Sequence, residues 1–271
     1  MVAGTFGILI WRMHEMNRKI HQVSRQVSAV PQSSRMYNII DQSEFPHDLP
    51  DVPLIAVMIE PRDHPHLKHV ISNFQQNLPQ VPIVIFHGNA NKDTLASMTD
   101  LFLVNLGVNN LSIEQYNCIL TNPKFYQSLT GTHILVFQTD SVLFSNTTMK
   151  LEDYFQYDYV GAPWKGYNFV RVGSKRVRIG NGGLSLRKRE TMIKATTKYP
   201  YLSEVYELSN TAEDAYFARV LTLMEAELPT PEQAADLFFE YVKGRALPFG
   251  AHKYLPDHPD ITESERLILT K

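Results

Sequence analysis

The chain has one cysteine, little net charge and no long hydrophobic run, and each shortage excludes a class of protein. Cys118 alone excludes an intrachain disulfide framework and a zinc site built from several cysteines. A formal net charge of -2 gives no electrostatic reason to expect a nucleic acid as partner. Hydrophobic residues make up 44% of the 271 residues, which is enough for a substantial globular core.

The N-terminal segment, residues 1–50, is expected to form an apolar arm followed by a linker. Residues 2–11 are apolar but reach only about half of the ~20 residues that span a bilayer, and no positive charge precedes them. The next apolar residues recur at heptad spacing: Met13, Met16, Ile20, Val23, Val27 and Val30. This pattern fits an amphipathic arm on the domain surface, or a stalk behind a shortened membrane anchor, and either could support a homodimer. Residues 31–53 are polar and rich in Pro, Ser and Asp, as in a linker.

Predicted strands and helices alternate from residue 54 onward. Apolar runs predict strands at 54–59, 81–86, 101–108, within 133–144, and at 157–161 and 183–186. Residues 113–129 have helical spacing, but Pro123 predicts a break into two helices. Thr230-Pro231-Glu232-Gln233 has the pattern of a capping box at a helix start. The alternation predicts a single α/β domain with a mostly parallel sheet flanked by helices.

The most informative stretch is 133–141, an apolar run that ends on Asp140. In open α/β sheets ligands bind beyond the carboxyl ends of the strands, so Asp140 is placed where a metal or a phosphate could be held. A carboxylate in this position can bind Mg²⁺ or Mn²⁺. The alternative is an aspartate that caps the following turn.

Two later segments are candidates for the same site. Gly180-Asn181-Gly182-Gly183 could let the backbone approach a ligand or could form a tight turn; it lacks the P-loop ending and the Rossmann spacing. Glu213 and Asp214 begin a predicted helix, where acids favour the helix dipole and where Asn210 with Glu213 approximates a capping box. One acid of this pair could instead face a cleft as a general base.

Two aromatic side chains complete the set of candidates. Trp164 follows Gly161-Ala162-Pro163, which predicts a rigid turn that presents the indole to a sugar or base, or buries it in the core. His252 is predicted to lie in a loop beyond the last helix, where it could bind a metal, act as a base or be solvated.

In this order, five segments resemble a family of poorly characterised domains grouped with GT-A glycosyltransferases, which use nucleotide-sugar donors. They are Gln138-Thr139-Asp140-Ser141, Gly161-Ala162-Pro163-Trp164, Gly180-Asn181-Gly182-Gly183-Leu184-Ser185-Leu186-Arg187, Glu213-Asp214 and Gly250-Ala251-His252. The resemblance implies a GT-A-like, Rossmann-type domain at 51–258, after the arm and linker at 1–50 and before a C-terminal tail at 259–271.

The resemblance also implies roles for single residues. Asp140 would be the last acid of an Asp-x-Asp motif and would bind Mn²⁺ or Mg²⁺ on the donor diphosphate, with His252 as a further ligand. Gln138 replaces the first acid of that motif, so it would hydrogen-bond the donor but ligate a cation poorly. The remaining donor contacts would come from Trp164, Asn181, Gly182 and Gly183. Asp214 or Glu213 would be the base, with Asp214 favoured because Glu213 is better placed to cap its helix.

The expected reaction is transfer of a sugar, with inversion, from a nucleoside-diphosphate sugar to a hydroxyl of a glycan, protein or small molecule. The metal would stabilise the leaving diphosphate, and the acid would take the proton of the hydroxyl. Gln138 keeps open a catalytically inactive nucleotide- or carbohydrate-binding module, and the same sheet would suit a nucleotide-sugar phosphohydrolase or nucleotidyltransferase. The apolar start favours a membrane-tethered protein of the secretory pathway over a cytoplasmic one.

Overall fold

The computed structural model describes residues 45, 48–165, 170–177, 180–203, 211–253 and 262–269. The predicted apolar arm and its heptads lie outside the described residues, so the homodimer remains a prediction. In the part of the chain that is described, no helix has both the length and the apolar character needed to cross a membrane.

The described elements alternate along the chain as the sequence predicts. The strands are β1 (Leu54–Glu60), β2 (Ile83–His87), β3 (Leu101–Asn105), β4 (His133–Phe137), β5 (Ser141–Leu143), β6 (Tyr159–Gly161), β7 (Val170–Val172), β8 (Lys175–Val177), β9 (Leu184–Lys188), β10 (Phe238–Phe239) and β11 (Gly250–His252). The helices are α1 (Leu67–Asn77), α2 (Lys92–Ala96), α3 (Ile113–Leu120), α4 (Pro123–Gln127), α5 (Arg189–Lys198), α6 (Glu213–Leu223), α7 (Pro231–Leu237) and α8 (Glu263–Leu269), with a 3-10 turn at Leu151–Tyr154.

A six-stranded sheet in the order β3-β2-β1-β4-β9-β6 forms the centre of the domain. Strands β3, β2, β1 and β4 are parallel, while β9 runs antiparallel to both β4 and β6. Every residue of β1 and β4 is buried, because helices cover both faces of the sheet. The predicted class, a single α/β domain with a mostly parallel sheet flanked by helices, is confirmed.

Separate hydrophobic cores lie on the two faces of the sheet. Alternate residues of β1 point to opposite faces, so Met58 belongs to one core and Val57 to the other. In the first core Phe74 of α1 stacks on Phe137 of β4, with ring centroids 3.8 Å apart. The second core contains Phe217 of α6. Side chains of the two cores therefore hold β4 in place on both faces of the sheet, up to the carboxyl end where the chain leaves it.

The strand order reverses between β1 and β4. The chain moves outward from β1 to β2 and β3, and then returns to place β4 on the other side of β1. At such a reversal the loops that leave the two neighbouring strands separate and leave a crevice at the carboxyl ends. The fold therefore opens its central crevice where Glu60 ends β1 and where Gln138 follows β4.

A second, three-stranded sheet has the order β10-β11-β5, and its strand β5 directly follows β4 in the chain. Strand β5 runs antiparallel to β11 and pairs Ser141 with His252. His252 thus lies in a strand, and its predicted place in a loop is wrong. A strand of three residues is too short for a visible sequence period, and its pairing with β5 joins segments more than a hundred residues apart.

Helix boundaries follow local capping chemistry in two cases and tertiary contacts in a third. The predicted break at Pro123 is confirmed, with Asn122 capping α4, and the Thr230–Gln233 capping box is confirmed at the start of α7. At α6 the N-cap is Ala212, without a side-chain cap, so the predicted capping box of Glu213 with Asn210 is wrong. Asn210 itself lies outside the described residues. Glu213 is bound instead by a partner from another element.

The segment Glu263–Leu269 forms α8, which packs against β5 and α1. Its buried Glu265 accepts hydrogen bonds from the Ser145 backbone N–H and from the Ser145 hydroxyl, at 2.8 and 3.0 Å. These contacts attach α8 to the loop that follows β5.

The stacking of Phe137 on Phe74 predicts a large loss of stability when the Phe137 ring is removed. Phe137→Ala is expected to lower the free energy of unfolding by about 3 to 5 kcal/mol, because it leaves a cavity between β4 and α1. Urea denaturation of the full chain measures the change. The control Tyr241→Ala removes a ring that is 58% exposed and is expected to stay within about 0.5 kcal/mol of wild type. Equal losses in the two variants would contradict the prediction.

Candidate functional site

A cavity of about 690 Å³ occupies the crevice at the carboxyl ends of β1 and β4. Almost all of the candidate residues predicted from the sequence line it: Gln138, Asp140, Asn181, Gly182, Gly183, Glu213, Asp214 and His252. The exception is Trp164, which is not among the lining residues. Four of the five candidate segments, which are distant in sequence, therefore meet at one place.

Asp140 and His252 are in direct contact at the centre of the cavity. Asp140 Oδ1 lies 3.2 Å from His252 Nε2. The antiparallel pairing of β5 with β11 brings the two together, and the Lys253 backbone N–H donates to the Asp140 carbonyl at 2.8 Å. The Asp140 side chain is 44% exposed to the cavity, whereas His252 is buried.

A tight turn directs Asp140 into the cavity. The Ser141 hydroxyl accepts a hydrogen bond from the Gln138 backbone N–H at 3.1 Å and donates to the Gly183 carbonyl at 3.0 Å. The Ser141 backbone N–H donates to the Gln138 carbonyl at 3.0 Å. Ser141 thus joins the turn after β4 to the glycine segment, which is why a small hydroxyl side chain is suited to this buried position.

Neighbouring charges shift the pKa values of both Asp140 and His252. Burial alone would raise the pKa of Asp140, but the hydrogen bond and the charge of His252 outweigh it and hold that pKa below its usual value. Burial alone would lower the pKa of His252, but Asp140 and Glu240 raise it. Glu240 Oε1 lies 3.7 Å from His252 Nδ1 and 3.1 Å from Lys253 Nζ.

Gln138 is fixed by a hydrogen bond from its amide to a tyrosine. Its Nε2 donates to the Tyr116 hydroxyl at 2.7 Å, so its Oε1 is left facing His252 Nε2 at 3.2 Å. Burial raises the pKa of Tyr116, so its hydroxyl stays protonated. The amide oxygen of Gln138 therefore points to the same place as Asp140.

The glycine pair provides room for two side chains of the site. A Cβ at Gly182 would lie 1.7 Å from Glu213 Oε1, and one at Gly183 would lie 2.2 Å from His252 Nε2. Any side chain at either position would displace a group that lines the cavity. The sequence predicts that the backbone of this segment approaches a ligand closely. In the structure it closely approaches the side chains of Glu213 and His252.

Glu213 is held by a fully buried arginine, Arg187. The guanidinium Nη2 lies 3.1 Å from Glu213 Oε1, and it also donates to the Gly182 carbonyl at 3.2 Å. Nη1 donates to the Tyr126 hydroxyl at 3.0 Å. Burial raises the pKa of Glu213, and Arg187 offsets this only in part. Glu213 Oε2 is buried beside the cavity and has no hydrogen-bond partner among the described residues.

Asp214 occupies a different environment from Glu213. It is partly exposed, lines the cavity and accepts a hydrogen bond from the Ala215 N–H at 2.7 Å. Burial raises the pKa of Asp214, while the Ala215 N–H and the neighbouring Trp164 indole act in the opposite direction. Trp164 packs against the core that contains Phe217. The indole therefore lies near Asp214 without lining the cavity itself.

A second charged pair, absent from the sequence-based candidates, lies at the end of β1. Arg62 donates to both carboxylate oxygens of Glu60, through Nε at 2.8 Å and Nη2 at 2.7 Å. Glu60 is buried, while the Arg62 side chain is 54% exposed, and both line the cavity. The adjacent apolar strand and the sequence Glu60-Pro61-Arg62 at its end are the signal that could have identified them.

The donor atoms near Asp140 fit a divalent cation that is shared with a substrate. Mg²⁺ and Mn²⁺ accept oxygen and imidazole ligands, and Mg²⁺ commonly takes only one or two protein carboxylates, with phosphates and water completing the shell. Asp140 Oδ1, His252 Nε2 and Gln138 Oε1 lie close enough together to be such a partial set. Within the described ranges, no group of three or more His, Cys, Asp or Glu side chains could hold a metal alone. A cation bound through these three atoms would complete its shell with water or with ligands from a substrate.

A sequence model of a family described as "Protein of unknown function (DUF5672)" matches residues 104–252, more than half of the chain. This match includes β4, the glycine segment, the acid pair and His252. No curated protein matches the sequence significantly.

Solved structures similar to the chain share little sequence with it. The bifunctional IspDF from Campylobacter jejuni is 12% identical with a TM-score of 0.38, over 67% of this chain and 50% of its own. The apo-form glycosyltransferase GlyE of Streptococcus pneumoniae TIGR4 is 13% identical with a TM-score of 0.43, over 73% and 54%. An active-site mutant of LgtC is 11% identical with a TM-score of 0.46, over 78% and 93%. The chain spans about half the length of the first two, and at these values the likenesses carry no argument about activity.

Loss of Arg187 alone is expected to lower the free energy of unfolding more than loss of both members of the buried Arg187–Glu213 pair. Arg187→Met is expected to lower the free energy of unfolding by about 3 to 5 kcal/mol, because Glu213 remains buried without its counter-charge. Adding Glu213→Met removes the unpaired charge, so the double variant is expected to be more stable than Arg187→Met alone.

Denaturant unfolding of the three proteins measures this difference. The control is Lys194→Met, which breaks the exposed Lys194–Glu190 pair and is expected to cost less than about 1 kcal/mol. A loss in Arg187→Met no larger than in the control, or a further loss in the double variant, would show that the pair is not maintained as described.

Proposed function

The chain belongs to the family described as "Protein of unknown function (DUF5672)", and we propose that it transfers a sugar from a nucleoside-diphosphate sugar to an acceptor hydroxyl. The observation that carries this proposal is the meeting, in one crevice, of the Asp140–His252 contact and the Glu213–Asp214 acid pair. Glycosyl transfer needs a place to stabilise the charge of a leaving diphosphate and a base beside the attacking hydroxyl. The cavity offers a candidate for each.

The diphosphate of the donor is assigned to the wall formed by the turn after β4 and by β11. A divalent cation held there by Asp140 and His252 would stabilise the negative charge that develops on the leaving group. Asp140 is suited to this role because His252 keeps it ionised, and its side chain reaches into the cavity. The amide oxygen of Gln138 is directed to the same point by Tyr116.

Asp214 is assigned as the general base. Its side chain lines the cavity, the Ala215 N–H binds one of its carboxylate oxygens, and partial burial raises its pKa toward the range in which a carboxylate accepts a proton efficiently. Glu213 is assigned to positioning, because Arg187 already holds one of its oxygens and burial separates it from solvent. The different partners of the two side chains, and not a helix cap made by Glu213, are the reason for assigning the base to Asp214.

The sugar is assigned to the part of the cavity that the glycine-rich segment lines. Asn181 and Gly182 line the cavity, and the Asn181 side chain accepts a hydrogen bond from the Gly183 N–H at 2.6 Å, which fixes the segment. An acceptor hydroxyl that enters beside Asp214 would attack the anomeric carbon from the side opposite the diphosphate. The proposed outcome is inversion at that carbon.

The first prediction concerns donor binding. A nucleoside diphosphate or nucleotide sugar present at 100 times its dissociation constant should stabilise the folded chain by about 2.7 kcal/mol, visible as a thermal shift. The shift is expected to require Mn²⁺ and to be lost in Asp140→Ala. The matched control is Asp93→Ala, an exposed aspartate of α2 outside the cavity lining, which should keep the full shift. If no nucleotide in the screen causes a thermal shift in wild type, the proposed class of donor is contradicted.

The second prediction concerns the base. Asp214→Asn is expected to lower kcat for transfer by about 10²- to 10⁴-fold, the usual contribution of a general base. In wild type, activity should fall as the pH drops through the raised pKa of Asp214, because the protonated acid cannot accept a proton. Retained activity in both Asp214→Asn and Glu213→Gln would remove the assignment of the base to this pair.

Product analysis separates transfer from hydrolysis in the same assay. A transferase releases the nucleoside diphosphate efficiently only when the acceptor is present, and the sugar appears on that acceptor. Equal release of free sugar and nucleoside diphosphate with and without acceptor would identify hydrolysis at the anomeric carbon instead. Release of a sugar phosphate with a nucleoside monophosphate would identify a phosphohydrolase.

A further inference from the structure

We propose that Glu240 is a positioning residue, whose buried carboxylate accepts the Nδ1–H of His252 and thereby presents Nε2 to the cavity. This inference rests on the proposed function, because it assigns Nε2 to the substrate side of the site. Glu240 was not among the candidates from the sequence, and it is not a lining residue of the cavity. It lies behind His252, on the side away from Asp140.

The strand pairing places Glu240 beside His252. Strands β10 and β11 run parallel with Phe239 opposite Ala251, and the next residue of each is Glu240 and His252. Both side chains are 2% exposed, and Glu240 Oε1 lies 3.7 Å from His252 Nδ1. The contact is therefore set by the backbone register of the small sheet and is shielded from water.

His252 Nδ1 is a buried polar atom without a hydrogen-bond partner among the described residues. Leaving such a group unsatisfied is costly, and the nearest acceptor given by the structure is the Glu240 carboxylate. At 3.7 Å the two atoms are beyond hydrogen-bond distance, but hydrogen bonds of unliganded sites are often long and tighten when substrate binds. A shift of less than 1 Å would complete the bond.

Lys253 supplies the counter-charge that allows a carboxylate to remain buried here. Its Nζ lies 3.1 Å from Glu240 Oε1, and its side chain extends to partial exposure. The backbone of Lys253 has a φ of 63°, a left-handed conformation that is unfavourable for a lysine. The residue is nevertheless held, because its N–H donates to the Asp140 carbonyl and its ammonium pairs with Glu240.

An acceptor on one imidazole nitrogen determines what the other can do. When Nδ1–H donates to a carboxylate, the ring orientation is fixed and a neutral ring has its lone pair on Nε2. Without Glu240, the neutral ring would instead place its proton on Nε2, where Asp140 and Gln138 are both acceptors. That form cannot bind a cation through Nε2. Glu240 therefore selects between two forms of the same side chain.

The competing explanation is that Glu240 serves only as the partner of Lys253. Three variants of the full chain distinguish the two. Glu240→Met removes the acceptor at similar length, Glu240→Gln retains an acceptor oxygen, and Lys253→Met removes the ion pair but keeps the carboxylate. Asp158→Asn is the control for general destabilisation, since Asp158 holds Thr191 and the Glu227 N–H far from this sheet.

The first readout is the protonation of His252 Nδ1, measured by NMR on the metal-free protein with ¹⁵N-labelled histidine, at a pH above the raised pKa of His252 so that the ring is neutral. We expect a protonated Nδ1 in wild type, Glu240→Gln, Lys253→Met and Asp158→Asn, and an unprotonated Nδ1 in Glu240→Met. An unprotonated Nδ1 in wild type, or an unchanged one in Glu240→Met, would overturn the proposal.

The second readout is the affinity for Mn²⁺ in the presence of a nucleoside diphosphate, followed by the EPR signal of free Mn²⁺. Glu240→Met is expected to weaken binding by about 10- to 100-fold, the usual effect of removing such an outer partner, while Glu240→Gln retains most of it. Unchanged affinity in Glu240→Met, or a loss in Glu240→Gln as large as in Glu240→Met, would overturn the proposal. A wild type that binds no Mn²⁺ would count against the metal-assisted transferase, and Nδ1 protonation would then decide the role of Glu240 alone.

Discussion

The reversal of strand order between β1 and β4 is the constraint on which the site depends. It opens the crevice, and the stacked core beneath β4 fixes the point at which Gln138 and Asp140 leave the sheet. Strand β9 then pairs antiparallel with β4 and returns the glycine segment to the same edge. These backbone pairings place Gln138, Asp140 and the glycine-rich segment at the cavity, whereas the start of α6 brings Glu213 and Asp214 to it.

Two buried charge systems border this crevice. Arg187, whose guanidinium carbon lies 5.3 and 5.2 Å from the ring centroids of Tyr159 and Phe217, neutralises Glu213. Lys253 neutralises Glu240 behind His252. Each buried carboxylate thus has a cation of its own, while Asp140 and Asp214 remain partly exposed to the cavity. The arrangement separates acids that orient neighbours from acids that can meet a ligand.

The part of the site that was predictable from the sequence consists of residues with a local signal. Asp140 follows an apolar strand, Gly182 and Gly183 stand in a glycine-rich segment, and Glu213 with Asp214 begin a helix. Arg187 and Glu240 have no comparable signal, because each resembles an ordinary charged residue near the end of a strand. Their importance comes from burial and from partners in other elements, which a one-dimensional pattern does not contain.

The sequence by itself determined the α/β class, the mostly parallel sheet and the helix break at Pro123, because these depend on hydrophobic periodicity and on backbone chemistry within a few residues. Only the tertiary structure decided which side chains of the site contact one another. It placed His252 in a strand opposite Ser141, turned Trp164 toward Asp214 and paired Glu213 with Arg187 rather than with its own helix start. These outcomes depend on contacts between segments that are far apart in the chain, and the free energy of burying a charge is settled only when both partners are in place.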